Sequence, residues 1–361
     1  MPRAVQALGS AGLDALLLTP GADLFYLTRF EHGHAGERLL CLFLRADGSF
    51  QWIAPSMNVS QIDSHGLGGG EIRGWTDAET YLPALREALD GVGSLAFDDE
   101  ARAAFLMDVH AVAPSVRIVK SGELLRGLRI RKQTSELEAM RAAARTVDET
   151  IQEAIALCLP GRRESEIDEK LRKALLKRSP ESSVAFTIIA SGENLAVPHH
   201  ETETRKLERG DVVVLDFGTR LDGYHSDITV TCAVGEPADP EVRKVYRTVW
   251  EAQQKALEAV RPGVTCEAID RAAREHISAA GFGEQFLHRT GHGLGLQIHE
   301  PPYLVAGNTE VLEEGMVFSI EPGIYLRDRF GVRLEVIASV AADGVSLINA
   351  PSAPELPLVT V

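Results

Sequence analysis

The sequence predicts an α+β protein whose larger, C-terminal part has two similar halves, with a smaller α/β domain ahead of it. Three observations predict this. A β-hairpin stands near the middle of the chain, over residues 211–231. The order helix, helix, hairpin that leads into it recurs in the residues that follow. Before residue 125, short apolar runs alternate with helical and turn segments. A chain of 361 residues has room for two domains and a large core, and the expected division is 1–125 and 126–361.

In the first domain, Ala15 to Leu18 is a short apolar strand stopped by Thr19-Pro20-Gly21. Asp23 to Leu27 can open a short helix. Leu39 to Leu44 and Phe50 to Ala54 are strands joined by the turn Ala46-Asp47-Gly48-Ser49. Gly66 to Gly70 is a loop without phosphate-binding spacing. Tyr81 to Leu89 has helical periodicity, and Leu95 to Phe97 is another strand. No metal-ligating or nucleophile cluster stands out here. The expected roles are packing, dimerisation, or shaping access to a site elsewhere. Arg29 to Arg38, RFEHGHAGER, is dense in charge and histidine. It reads first as a solvated loop and second as a lid over an active site, that of a neighbouring subunit included.

The second domain opens with a helix from Ser135, with Glu138 completing a capping box, and ends it near Leu157 ahead of Pro160-Gly161. A second helix covers Glu166 to Lys177, and Ala185 to Ala190 is a strand. The hairpin follows. Its apolar run Val212 to Leu215 ends in Asp216, Asp222-Gly223 is the turn, and Tyr224 to Thr231 carries Asp227. This turn pairs Leu221 with Tyr224 and sets Asp227 opposite Gly218, so Asp216 and Asp227 share one face. Helices over Val242 to Val260 and Cys266 to Ala280 come next, then strands near Val317 to Glu321 and Val332 to Ser339.

Charge and cysteine usage narrow the classes. The formal net charge is −15, and the longest basic run is Arg129-Ile130-Arg131-Lys132, which excludes a polyanion-binding footprint and so nucleic acid. The four cysteines, Cys41, Cys158, Cys232 and Cys266, form no C-x-x-C pair. Such sparse use fits a reducing compartment. No apolar stretch approaches a membrane span, and no basic segment followed by an apolar run opens the chain. A cytoplasmic protein is expected.

Two carboxylates on a buried strand pair cost several kcal/mol or more, on the order of magnitude of an uncompensated charge, so something positive is expected between them. Taken alone, the hairpin leaves a salt bridge or a turn cap open. Three further stretches carry ligand-type residues in apolar settings. His292 lies between Gly291 and Gly293, ahead of His299-Glu300. Glu321 follows Val317-Phe318 and Ile320. Glu335 interrupts the β-run GVRLEVIASV. Asp216, Asp227, His292, Glu321 and Glu335 thus supply four carboxylates and one imidazole. A single calcium ion takes carboxylates but not imidazole. Two divalent cations sharing bridging carboxylates balance the charge. Oxygen-rich ligation with one nitrogen suits manganese or cobalt, with zinc or iron as alternatives.

The strings LDFGTRLDGYHSDIT, GHGLGLQIHE, SIEPGIY and GVRLE resemble the pita-bread metallopeptidases, which include methionine aminopeptidase, aminopeptidase P and prolidase. The likeness covers roughly residues 125–345, and the ALLLTPGADLFYLTRF stretch resembles the prolidase and aminopeptidase P branch. The resemblance implies a pita-bread fold and two divalent metal ions per subunit. It implies Asp227 and Glu335 as bridging ligands, Asp216 completing one metal, and His292 and Glu321 completing the other. It also implies a water or hydroxide between the ions as nucleophile, with Glu321 relaying a proton. His199 matches the family's PH motif and His299 the second histidine of its HGxGLxxHE motif. Both are implied to hold the scissile carbonyl and its oxyanion. Arg333 is a candidate for the substrate carboxylate, or else a partner of a ligand carboxylate.

The substrate expected is a small peptide with proline at its second position, cleaved before that proline. A bond to proline is a tertiary amide with restricted geometry, which general peptidases handle poorly. An Xaa-Pro dipeptidase is the first expectation and aminopeptidase P the second. Glu37 and Arg38 would favour the dipeptidase if they closed over the amino end of the substrate. A homodimer is expected from the family alone. A metal-free creatinase-like hydrolase and a silent interaction module are the remaining alternatives, and the intact ligand set speaks against both. His200, Val230 and Val336 stand where the family usually has Gly, Arg and Asp.

Overall fold

The computed structural model describes residues 1–31, 36–66, 70–198 and 200–360. The chain divides into two compact units, Met1–Arg129 and Ile130–Val361.

In the first unit the strands are β1 (Ala15–Leu18), β2 (Cys41–Arg45), β3 (Phe50–Pro55), β4 (Glu71–Trp75), β5 (Ser94–Phe97) and β6 (Arg117–Lys120). They form one sheet in the order β4-β3-β2-β1-β5-β6. β1 runs antiparallel to β2 and parallel to β5. Its four residues are all buried because helices cover both faces: Leu16 and Leu18 enter one core, Ala15 and Leu17 the other. This is why β1 reads as an unbroken apolar run rather than an alternation. The helices are α1 (Pro2–Ala11), α2 (Ala22–Thr28), α3 (Val59–His65), α4 (Leu82–Ala88), α5 (Ala103–Val112) and α6 (Ser121–Arg129).

The second unit repeats one plan. α7 (Thr134–Ala156) and α8 (Glu164–Arg178) lead into β7 (Ser183–Ser191), β8 (Val212–Leu221), β9 (Tyr224–His225) and β10 (Ile228–Val234). α9 (Val242–Ala259) and α10 (Cys266–Ala279) lead into β11 (Gly291–Gly293), β12 (Glu300–Leu304), β13 (Val317–Ile320), β14 (Gly323–Leu326), β15 (Phe330–Arg333), β16 (Val336–Ala341), β17 (Gly344–Leu347) and β18 (Leu358–Val359). One sheet runs β18-β10-β8-β7 with β9 on β8, the other β12-β11-β13-β16-β17, and β14 pairs with β15. The mixed α/β architecture with duplicated halves is the fold class expected.

The hairpin forms in the expected register, with Leu221 opposite Tyr224 and Phe217 opposite Ile228. Asp222 and Gly223 both have positive φ, 49° and 85°, as a type I′ turn requires. Two expectations need correction. The capping box of α7 is Gln133 with Glu136, not Ser135 with Glu138. Glu136 is committed there because one carboxylate oxygen takes the Gln133 N–H at 2.8 Å and the other the Tyr224 hydroxyl at 2.7 Å. The run Val332 to Ser339 is two strands, not one. The chain leaves the β14–β15 ribbon after Arg333 and joins β13 from Val336. Between them the Glu335 N–H donates to the Thr229 carbonyl at 3.0 Å.

Candidate functional site

Each ligand-type residue sits inside a strand or directly beside a strand end. Asp216 is inside β8, between β7 and β10. Asp227 ends the short gap between β9 and β10. Glu321 follows β13, and Glu335 fills the break before β16. His292 is central in β11. Its flanking glycines are required by close backbone approach: a Cβ at Gly291 would stand 1.9 Å from the Ser319 carbonyl oxygen, and one at Gly293 2.3 Å from that of Pro301. A buried helix residue steadies two of these positions at once. The Gln253 side-chain amide in α9 donates to the carbonyls of Ile320 at 3.1 Å and Leu334 at 3.0 Å, the residues just before Glu321 and Glu335.

The five side chains line one cavity of about 510 Å³. Ligand atoms of Asp227, His292 and Glu335 lie within 4.8 Å of one another. The His292 Nε2 is 3.2 Å from Glu321 Oε1 and 3.7 Å from Asp227 Oδ2. Its Nδ1–H donates to the Gly293 carbonyl at 3.1 Å, which fixes the ring and turns Nε2 toward the acids. Thr229 Oγ1 donates to Glu335 Oε2 at 2.7 Å, and Ser319 Oγ to Glu321 Oε1 at 3.2 Å.

The electrostatics are those of an acid cluster short of positive charge. Burial, with the neighbouring Asp216 charge, pushes the Asp227 carboxyl up to about 8. Burial and the Asp227 and Glu321 charges push Glu335 well above the ordinary carboxylate range. Burial also opposes ionisation of Glu321, but the hydrogen bond and charge of His292, with the charges of His288 and Arg333, together outweigh it and bring Glu321 to about 2. Burial lowers the His292 pKa, but Glu321, Asp227 and the Gly293 carbonyl together raise it more, so it ends above the usual value. Two oxygens, Asp216 Oδ1 and Glu335 Oε1, are buried with no hydrogen-bond donor. Unsatisfied acceptors of this kind are uncommon in folded proteins. Carboxylate oxygens with open lone pairs beside one imidazole nitrogen fit hard-to-borderline divalent ions.

Arg333 also lines the cavity, and its guanidinium is engaged by the protein. It donates to Asp216 Oδ2 at 2.5 Å, to Thr229 Oγ1 at 3.2 Å, and to the Pro198 carbonyl and Tyr325 hydroxyl, each at 3.0 Å. His299 stands at the cavity with its ring edge-on to His292, centroids 4.2 Å apart. His199 lies outside the described residues. Glu37 and Arg38 belong to the first unit, where Arg38 pairs with Asp77 at 2.8 Å and Glu37 at 2.9 Å. The sequence reading missed His288, Arg289 and Tyr325. His288 lines the cavity and bonds the Tyr325 hydroxyl at 2.8 Å. Tyr325 in turn bonds Arg333, so the chain His288–Tyr325–Arg333–Asp216 is continuous. The one available signal was their place inside or beside the strings carrying His292 and Glu321. The apolar wall of Phe186, Ile188 and Ile298 was equally unmarked.

Among known proteins, the Creatinase/Prolidase N-terminal domain matches residues 1–131, and metallopeptidase family M24 matches residues 138–341. The Xaa-Pro dipeptidase of Pyrococcus horikoshii is 36% identical over 258 residues, covering 72% of this chain and 73% of its own. The structure of the prolidase from Thermococcus sibiricus superposes with a TM-score of 0.94 at 34% identity, over 99% of this chain and 97% of that one. That of the dipeptidase PepE from Mycobacterium ulcerans gives 0.92 at 38% identity, over 99% and 96%. With a family match over more than half its length and relatives alike from end to end, the chain belongs to metallopeptidase family M24.

Proposed function

We propose that this protein is an Xaa-Pro dipeptidase that binds two divalent metal ions, manganese first among the candidates. The observation that carries this reading is the meeting of three buried carboxylates, the partly buried Glu321 and His292 in one cavity, with Asp216 Oδ1 and Glu335 Oε1 lacking any donor. The names of the relatives support the substrate class. Asp216, Asp227, His292, Glu321 and Glu335 would hold the ions, with Asp227 and Glu335 the shared ligands that the family resemblance implies. The bound ions supply the positive charge that acidifies water and polarises the scissile carbonyl.

The chain's own groups do the rest. Arg333 holds one oxygen of Asp216 and orients the carboxylate. Thr229 and Ser319 hold one oxygen each of Glu335 and Glu321. Glu321 takes a proton from the attacking water and delivers it to the proline nitrogen as the C–N bond breaks. His299 and His199 are assigned to the carbonyl oxygen, whose negative charge grows as the tetrahedral state forms. Phe186, Ile188 and Ile298 give the small apolar side chains a dry wall. A homodimer in a reducing, cytoplasmic setting completes the reading, in keeping with four cysteines that are all buried and unpaired.

The test is chelation followed by metal replacement, with Ala-Pro and Ala-Pro-Xaa-Xaa as substrates. Hydrolysis of Ala-Pro should be lost on chelation and restored by manganese or cobalt. Faster turnover of the longer peptide would make the protein an aminopeptidase P. Activity that survives exhaustive chelation would overturn the metal-dependent mechanism.

A further inference from the structure

We propose that Arg289 binds the C-terminal carboxylate of the substrate and thereby sets the preference for dipeptides, an inference that rests on the Xaa-Pro hydrolase reading. A dipeptide brings its carboxylate within a few ångströms of the bond that is cut. That charge enters a cavity already rich in acids, where an unpaired anion is costly. A cation with free donors is needed at the wall. The lining offers two arginines, Arg289 and Arg333. Four of the five Arg333 N–H donors are taken by Asp216, Thr229, Tyr325 and the Pro198 carbonyl, and its charge is paired with Asp216.

Arg289 is placed differently. Its guanidinium lies over the Tyr303 ring, 4.6 Å from the centroid. Among the described residues its side chain has no ion pair and no hydrogen bond. Stacking uses the face of the guanidinium and leaves its N–H edge open, the edge that matches a carboxylate with two parallel bonds. The base of the side chain is fixed. Arg274 in α10 donates to the carbonyls of Phe286 at 3.1 Å and His288 at 2.8 Å. Asp270, paired with Arg274 at 2.9 Å, takes the Thr290 N–H at 3.1 Å and its hydroxyl at 2.8 Å. The backbone on both sides of Arg289 is thereby clamped to one helix, while β11 sets His292 opposite Tyr303 on β12. One strand pair therefore carries both the metal-site imidazole and the ring that presents the guanidinium. In a longer peptide a neutral amide replaces the carboxylate, and the charge-assisted pair is lost.

Ala-Pro and its carboxamide, Ala-Pro-NH2, test this with the manganese-loaded protein. Wild type should favour the acid. Arg289→Met should cut the ratio of kcat/KM for acid over amide by roughly tenfold or more, through KM, with the amide little changed. Arg289→Lys, which keeps the charge but not the fork, should fall between. Tyr303→Leu, which removes the stacking face, should lower the ratio with Arg289 still present. An unchanged ratio in Arg289→Met, or an equal loss on both substrates, overturns the proposal while leaving the hydrolase reading intact. A wild-type protein that cleaves neither substrate removes the hydrolase reading and this proposal with it.

Discussion

Arg333 and Asp216 meet at 2.5 Å with almost no exposure to water, and neither charge would be tolerated there alone. Asp216 has one oxygen on Arg333 and one without a donor, so the arginine orients the carboxylate and leaves a lone pair for a cation. Arg333→Met should therefore weaken manganese binding by about 10–100-fold, as loss of an outer partner does at other metal sites. At saturating manganese the KM for Ala-Pro should hardly move. Titration of the chelated protein followed by kinetics separates the two. A raised KM with unchanged metal affinity would mean that Arg333 touches substrate instead. Asp216, Asp227, His292, Glu321 and Glu335 were legible because charged side chains stood out inside apolar or glycine-flanked runs. Arg289, His288 and Tyr325 were not, since an arginine after a histidine, or a tyrosine in a β-run, carries no mark of what it faces.

At the level of elements, the Asp-Gly turn was enough to align β8 with β9 and β10, because a two-residue turn leaves only one pairing. The start of α7 was not legible, because Tyr224, far along the chain, commits Glu136 to Gln133. The split between β15 and β16 was hidden for a related reason: GVRLEVIASV has strand character throughout, and only the partners differ. A buried ion pair supports the segment that carries His299. Lys132 Nζ donates to Glu300 Oε1 at 2.8 Å, with 1% and 4% of their side chains exposed. The other Glu300 oxygen takes the Gln297 N–H at 3.3 Å. Lys132→Met should destabilise the protein by about 3–5 kcal/mol, since Glu300 is left buried without its cation. Replacing both partners, as in Lys132→Met with Glu300→Leu, should recover most of that in urea unfolding. A single variant as stable as the double would show that the pair matters little.

Over the whole molecule, no helix among the described residues is long and apolar enough to cross a membrane. Protons and metal compete for the same cluster, and stability should report it. Asp227 is pushed up to about 8, so between its unfolded value near 3.8 and that point the folded metal-free chain holds a proton the unfolded chain has lost. Glu335 and His292 shift the same way. Each such proton makes stability fall by about 1.4 kcal/mol per pH unit within its window. Glu321, depressed to about 2, acts in the opposite sense but only below its ordinary value of 4.5. The Tm of the chelated protein should therefore drop from pH 5 to pH 8, and manganese should raise it most at the alkaline end. A flat or rising Tm would contradict the cluster's electrostatics. Gln253 has a bearing on how such loading proceeds. One amide ties the strands before Glu321 and Glu335 to a single helix, so neither glutamate can drift without disturbing the other. On the proposed two-ion reading, the two ions should therefore fill and empty together.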